Sequence, residues 1–141
     1  RMTVVNLGPE GPAPLDPVVA TFVIDEPAPP VRPWPEAERA ESWSREWVVR
    51  PSDQDSFLHV NQARYVDYMD DTRWFAAEAG HPAGSRGRLA GLSVEYRREA
   101  HAGERVRMET WATGDRTCAY ELTLQPTGEV LTRGQTIGAG G

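Results

Sequence analysis

The chain has 141 residues, a length typical of a single domain that buries its own core without disulfides or metals. Its net charge of −6 argues against nucleic acids and anionic membranes as partners. A single cysteine, Cys118, excludes an internal disulfide, and no motif predicts a metal site or a cofactor. Because no apolar run reaches the length of about 18 residues expected of a transmembrane helix, and no signal peptide is visible, we expect a soluble cytoplasmic protein.

The first forty residues differ in composition from the rest. Met2–Asn6 and Val18–Ile24 are short apolar runs that predict two strands joined by a long loop. Glu26–Pro35 contains five prolines in ten residues, which forbids a helix and predicts an extended linker. We therefore predict an N-terminal arm or linker over residues 1–40 and one domain over residues 41–141.

The domain is predicted to begin with a strand and a long helix. Ser42–Val49 fits a strand with Trp43 and Trp47 on one face. Val60–Ala79 repeats apolar residues at nearly helical period, and Asn61 can cap this helix. Gly80 is a typical stop signal, so the helix is predicted to end there.

Four segments of alternating polarity follow the helix. They are Leu89–Glu99, Glu104–Thr113, Arg116–Gln125 and Glu129–Ile137. Short turns separate them, which predicts a four-stranded antiparallel meander. One long helix on one face of an antiparallel sheet gives an α+β fold.

The stretch from Ser52 to Asn61 carries the strongest functional signal. It contains Asp55 and, four residues later, His59, directly before the predicted helix. A carboxylate beside a histidine at a helix start can act as a general base or nucleophile next to free backbone N–H donors. This combination favours hydrolysis of an activated acyl group, with the oxyanion bound by N–H groups around Val60–Ala63.

The motif Asp-x-Asp-x-x-x-His-Val-Asn-x-x-x-Tyr, from Asp53 to Tyr65, resembles the acyl thioesterases of the hotdog superfamily. Leu92–Glu99 is similar to the Leu-Glu-Tyr-Arg-Arg-Glu-Cys segment of plant-type fatty acyl-ACP thioesterases, and Val19–Arg39 resembles the linker between the two hotdog halves of that family. The resemblance implies a hotdog fold, in which a sheet wraps around a central helix. It also implies that this chain is a second half; since Arg1 precedes Met2, we expect the native chain to begin earlier.

The resemblance implies that Asp55, His59 and Glu99 are catalytic, although Phe57 and Ala100 replace an asparagine and a cysteine of the family pattern. Strict strand alternation places Glu99 on the face away from the helix. Unless a bulge intervenes, Glu99 would therefore contact a partner half instead of the Asp55 loop.

The candidate substrate-binding residues are Phe57, Asn61 and Tyr65, of which Asn61 also serves as the predicted helix cap. Phe57, Tyr65 and Met69, together with the tryptophans, predict an apolar tunnel beside the helix.

The resemblance implies hydrolysis of acyl-CoA or of an acyl chain linked to the phosphopantetheine of acyl carrier protein, as in fatty acid biosynthesis. The product is a free fatty or polyketide-like acid. The partner is a second hotdog half, in the same polypeptide or in a homodimer. Two alternatives stay open: a hotdog hydratase or dehydratase, and a non-catalytic half that binds acyl carrier protein.

Overall fold

The structure is a computed structural model that describes residues 7–8, 11–12, 33–35, 39 and 41–139. Near the N-terminus, β1 (Leu7–Gly8) and β2 (Gly11–Pro12) form a short antiparallel pair. The two N-terminal strands predicted at 2–6 and 18–24 lie outside the described residues.

Five longer strands and one helix make up the domain. The strands are β3 (Ser42–Val48), β4 (Leu89–Tyr96), β5 (Arg105–Gly114), β6 (Thr117–Leu124) and β7 (Val130–Gly138), and the helix is α1 (Gln62–Glu78). All neighbouring strands are antiparallel, in the order β3-β5-β6-β7-β4. The helix packs on one face of this sheet, which confirms the predicted α+β architecture.

The predicted four-stranded meander is wrong in one respect. Only β5, β6 and β7 follow one another as hairpins, whereas β4 pairs with β7 at the far edge of the sheet. The connection from Tyr96 to Arg105 is longer than the two to five residues usual in a hairpin, so β4 and β5 need not be neighbours. Strand β3 occupies the free side of β5 instead.

Local signals at both ends explain the position of α1. The Asn61 side chain accepts a hydrogen bond from the Ala63 N–H at 2.9 Å, which confirms the predicted cap. After the helix, Gly80 adopts φ +70°, a conformation that glycine reaches without steric cost.

Within the described part of the chain, no helix is long and apolar enough to cross a membrane.

The core lies between α1 and the inner face of the sheet. Its fully buried side chains include Met69 from the helix and Met108, Tyr120 and Leu122 from the strands. The Met69 side chain also lies against Gly134 of β7, where a β-carbon would come within 2.5 Å of the Met69 sulfur and terminal methyl group.

The outer face of the sheet carries Trp111, which is only 1% exposed although the helix lies on the other side. Residues from before the domain cover it: Trp34 meets its ring edge-on at 5.7 Å, and the guanidinium of Arg39 lies 4.5 Å from the ring centre. Arg39 also bridges Glu109 and Glu121, two carboxylates that face each other across β5 and β6. Part of the predicted arm thus packs against the sheet, while the boundary at residue 40 stays a prediction.

Candidate active site

The connection between β3 and α1 forms a tight loop that brings the predicted catalytic residues together. The Asp55 N–H donates to the His59 carbonyl at 3.0 Å, and the Leu58 N–H donates to the Asp55 carbonyl at 3.1 Å. These two bonds close the loop, so the side chains of Asp55 and His59 emerge next to each other at the start of α1.

Asp53 anchors this loop to the rest of the domain. Its carboxylate is 1% exposed and accepts hydrogen bonds from the Arg50 backbone N–H at 3.0 Å and from the Arg50 guanidinium at 3.0 and 3.2 Å. Burial would raise the pKa of Asp53, but the hydrogen bonds from Arg50 outweigh it and hold this pKa below its ordinary value. Its backbone carbonyl accepts from Asn61, so Asp53 joins the turn before the loop to the helix start.

Asp55 and His59 form the centre of the site. Asp55 Oδ2 lies 3.5 Å from His59 Nδ1, while Asp55 Oδ1 accepts a hydrogen bond from the Phe57 N–H at 2.9 Å. Both side chains are partly exposed, which leaves room for water beside the carboxylate. One oxygen is thus fixed by the loop, and the other faces the imidazole.

Glu99 also lies near this pair, because the alternation of side chains between the two faces of β4 ends before residue 99. The N–H groups of Arg97 and Arg98 both donate to the Leu131 carbonyl, at 2.9 and 3.1 Å, as two residues opposite one do in a β-bulge. Strand β4 ends at Tyr96, and Glu99 Oε1 comes to 3.9 Å from His59 Nε2. A bulge therefore precedes Glu99, and the position that strict alternation predicts for Glu99 is wrong. As a result, His59 lies between two carboxylates.

Tyr65 lies behind the site, in the core. Its hydroxyl accepts a hydrogen bond from the Ala100 N–H at 3.0 Å, and the Ala100 carbonyl accepts from the Val60 N–H at 2.8 Å. Burial raises the pKa of Tyr65 to about 12, so the hydroxyl stays protonated. Ala100, where the resembling family has a cysteine, therefore ties the Glu99 loop to the helix start.

Of the other two residues predicted to contact substrate, Asn61 is engaged as the helix cap and Phe57 is 77% exposed. The Phe57 ring stacks on the His59 ring, with centroids 5.8 Å apart and planes at 11°. The structure thus brings Phe57 to Asp55 and His59 and places Tyr65 and Asn61 in supporting contacts. Substrate contact by all three stays a prediction.

One backbone N–H at the helix start has no hydrogen-bond acceptor among the described residues. The Val60 N–H donates to the Ala100 carbonyl, and the Asn61 N–H donates to the Asp53 carbonyl. The Ala63 N–H donates to the Asn61 side chain. The Gln62 N–H has no acceptor within the part of the chain that the structure describes. This donor lies at the positive end of the helix dipole, where an anionic oxygen is stabilised.

Sequence reasoning missed the contacts at Leu58. The Leu58 carbonyl accepts a hydrogen bond from the Gln54 side chain and lies 3.1 Å from His101 Nδ1. The available signal in the sequence is the position of His101, two residues after Glu99.

A cavity of about 150 Å³ lies between α1 and the edge of the sheet formed by β4 and β7. Its apolar lining comes from Val66, Met69, Leu89 and Leu92, and its rim carries charged helix residues. Met69 agrees with the predicted apolar tunnel, whereas Phe57 and Tyr65 do not line this cavity.

Comparison with models of protein families identifies the superfamily of the chain. Residues 49–133 match the model of the Thioesterase-like superfamily. The chain belongs to this superfamily. None of the curated protein sequences matches it significantly.

Solved structures agree with this assignment at the level of the fold. The 1,4-dihydroxy-2-naphthoyl-CoA thioesterase of Synechocystis superposes with a TM-score of 0.56 at 20% identity, over 68% of this chain and 79% of that one. The DHNA-CoA thioesterase of Staphylococcus aureus gives 0.57 at 22% identity, over 67% and 70%. The 12:0-ACP thioesterase of Umbellularia californica gives 0.54 at 19% identity, over 68% of this chain but 41% of that one. The predicted hotdog fold is confirmed.

Proposed function

We propose that this chain hydrolyses acyl thioesters and that Asp55 is the general base. The observation that carries the proposal is the geometry at the helix start. A partly exposed carboxylate faces an imidazole, and a backbone N–H that has no acceptor among the described residues lies at the adjoining end of the helix. Membership of the Thioesterase-like superfamily supports the same reaction class.

The proposed reaction uses these groups in sequence. Asp55 takes a proton from a water molecule while the water oxygen attacks the thioester carbonyl carbon. The negative charge that develops on the carbonyl oxygen is stabilised by the Gln62 N–H and the helix dipole. The C–S bond then breaks, the proton passes to the departing sulfur, and the products are a carboxylic acid and a thiol.

His59 and Glu99 act as orienting groups in this scheme. His59 Nδ1 lies 3.5 Å from the Asp55 carboxylate and His59 Nε2 lies 3.9 Å from the Glu99 carboxylate, so the imidazole lies between two carboxylates. An imidazole in this position can hold the attacking water or the Asp55 carboxylate in a productive orientation. Glu99 is 65% exposed, so it reaches the site from the solvent side.

The substrate that we propose is a fatty or polyketide-like acyl chain carried by coenzyme A or by acyl carrier protein. The apolar side chains that line the cavity beside Met69, and the exposed Phe57 that stacks on His59, favour an apolar acyl group. Similar solved structures include, by their names, thioesterases that act on CoA esters and one that acts on an ACP ester. Cytoplasmic location and a role in fatty acid biosynthesis belong to the same proposal.

We expect the rate of hydrolysis to rise with acyl chain length. Each methylene transferred from water to an apolar site gains about 0.8 kcal/mol, so kcat/KM should increase from acetyl-CoA to dodecanoyl-CoA. The measurement is release of free thiol across the series, with an unsaturated acyl-CoA assayed for hydration in parallel. Highest activity on acetyl-CoA, or hydration without thiol release, would count against the proposed substrate and reaction.

We also propose that a second hotdog half completes the site. Within the described residues, strand β4 pairs on one side with β7, and its other edge is free. Leu89 and Leu92 of this strand line the cavity, so a partner strand paired with this edge would lie beside it. A homodimer or a preceding half of the same polypeptide can supply that strand.

The assembly is tested by mass in solution. For the 141-residue chain, we expect light scattering to report about twice its mass of 15.6 kDa, because a free strand edge favours pairing. If the partner is a preceding half of a longer native polypeptide, that longer chain is expected to be monomeric with two hotdog domains. A 15.6 kDa chain that is monomeric, folded and fully active would contradict both forms.

A further inference from the structure

Leu58 has an unusual backbone conformation. Its φ is +65°, and among the described residues it is the one non-glycine residue with a positive φ. In this left-handed region the β-carbon of an L-residue crowds the carbonyl oxygen, which makes the conformation unfavourable for leucine. Unlike asparagine, leucine has no side-chain hydrogen bond to offset that cost.

The surrounding structure imposes this conformation. The Leu58 N–H donates to the Asp55 carbonyl at 3.1 Å, and its carbonyl is held by the Gln54 side chain and lies 3.1 Å from His101 Nδ1. The side chain is 70% exposed, so it contributes little to packing in the core. Neither backbone preference nor burial therefore explains a leucine at this position.

The exposed leucine belongs to the rim of the candidate active site. The adjoining Phe57 is also exposed, stacks on His59, and donates its backbone N–H to Asp55 Oδ1. Phe57 and Leu58 thus form a continuous apolar lip beside the catalytic pair. A thioester whose carbonyl carbon reaches Asp55 brings the groups next to that carbonyl close to Phe57 of this lip, because the Phe57 ring stacks on His59.

We infer that the lip binds the acyl chain of the substrate next to the thioester carbonyl, and that Leu58 is a specificity-determining residue that favours long apolar chains. Strained residues that persist in a fold cluster at sites that bind ligands, which agrees with this role. The inference rests on the proposed function, because it takes an acyl thioester as the ligand.

The test measures binding, so that it does not depend on hydrolysis. Leu58→Gly and Leu58→Ala are each made in the Asp55→Asn background, and titration calorimetry gives Kd for dodecanoyl-CoA and acetyl-CoA. Losing contact with one or two methylene groups, at about fourfold each, predicts a Kd for dodecanoyl-CoA that is roughly tenfold weaker. The Kd for acetyl-CoA should stay within about twofold by the same reasoning, since that ligand has no methylene groups to lose.

Thermal unfolding separates this role from a structural one. Leu58→Gly should have a Tm about 3–5 °C above that of Leu58→Ala, because both lack the leucine side chain and only alanine keeps the backbone strain. Val48→Ala is the control: Val48 is also exposed and apolar, but it lies at the end of β3, so its Kd values should match those of the parent.

Three results would overturn the inference. They are no measurable binding of dodecanoyl-CoA, a Kd that neither Leu58 variant changes by more than twofold, and conversion of a dimer to a monomer by Leu58→Gly. The last would show that the lip contacts a second copy of the chain. Hydrolysis by the wild-type chain is measured separately, so a failure of the proposed function is recognised independently of a failure of the lip.

Discussion

Asp55→Asn is expected to lower kcat for acyl thioester hydrolysis by about a hundredfold or more, the usual scale for losing a general base. Asparagine retains the oxygen that accepts the Phe57 N–H, so the loop should keep its conformation. What it loses is the ability to take a proton from water. KM should change little, because the carboxylate acts on water and not on the acyl chain.

The measurement compares kcat for the variant and the wild type with dodecanoyl-CoA, together with their Tm values. Asp115→Asn is a matched control, because it removes an exposed carboxylate in the turn between β5 and β6. It should retain wild-type turnover. Wild-type turnover in Asp55→Asn would refute the general-base assignment.

Asp53→Asn should cost mainly stability, and much more than a surface substitution. The buried carboxylate accepts three hydrogen bonds from Arg50, two of them from the guanidinium. An asparagine there keeps the shape but loses the charge-assisted bonds, for an expected loss of about 2–3 kcal/mol in the free energy of unfolding. That corresponds to a fall in Tm of roughly 6–12 °C, measured by thermal unfolding at pH 7.

The pH dependence of this loss has a fixed sign. Because the folded-state pKa of Asp53 is lowered, its stabilisation is fully present above the unfolded pKa of about 3.9. It is lost as the pH falls through the lower folded-state value. The Tm difference between wild type and Asp53→Asn should therefore be constant from about pH 5 to 8 and shrink below about pH 4. A difference that grows on acidification would contradict this role.

The elements that local chemistry defines were predictable from the sequence. Asn61 satisfies an N–H of the first helical turn and Gly80 adopts the conformation that ends the helix, so both boundaries of α1 lie within two residues of the prediction. The two hydrogen bonds that close the loop of Asp55 and His59 are likewise local, since each joins residues at most four positions apart, and the two side chains lie next to each other as expected.

Features that depend on distant contacts were not predictable in the same way. The bulge that turns Glu99 toward His59 needs the Leu131 carbonyl of β7, which lies more than thirty residues along the chain. The predicted position of β4 in the sheet was wrong for a related reason. Alternating polarity in the sequence identifies a strand, but it does not identify the strand that pairs with it. The cover on Trp111 comes from Arg39 and Trp34, residues of a stretch that composition alone marks as a linker.

The central claim, that this chain hydrolyses acyl thioesters, is tested most directly by following dodecanoyl-CoA in water enriched in oxygen-18. The account predicts that thiol and dodecanoic acid appear in equal amounts, at a rate proportional to protein concentration, with one labelled oxygen in each acid molecule. Thiol release no faster than in buffer alone, from protein that is folded and assembled, would contradict it.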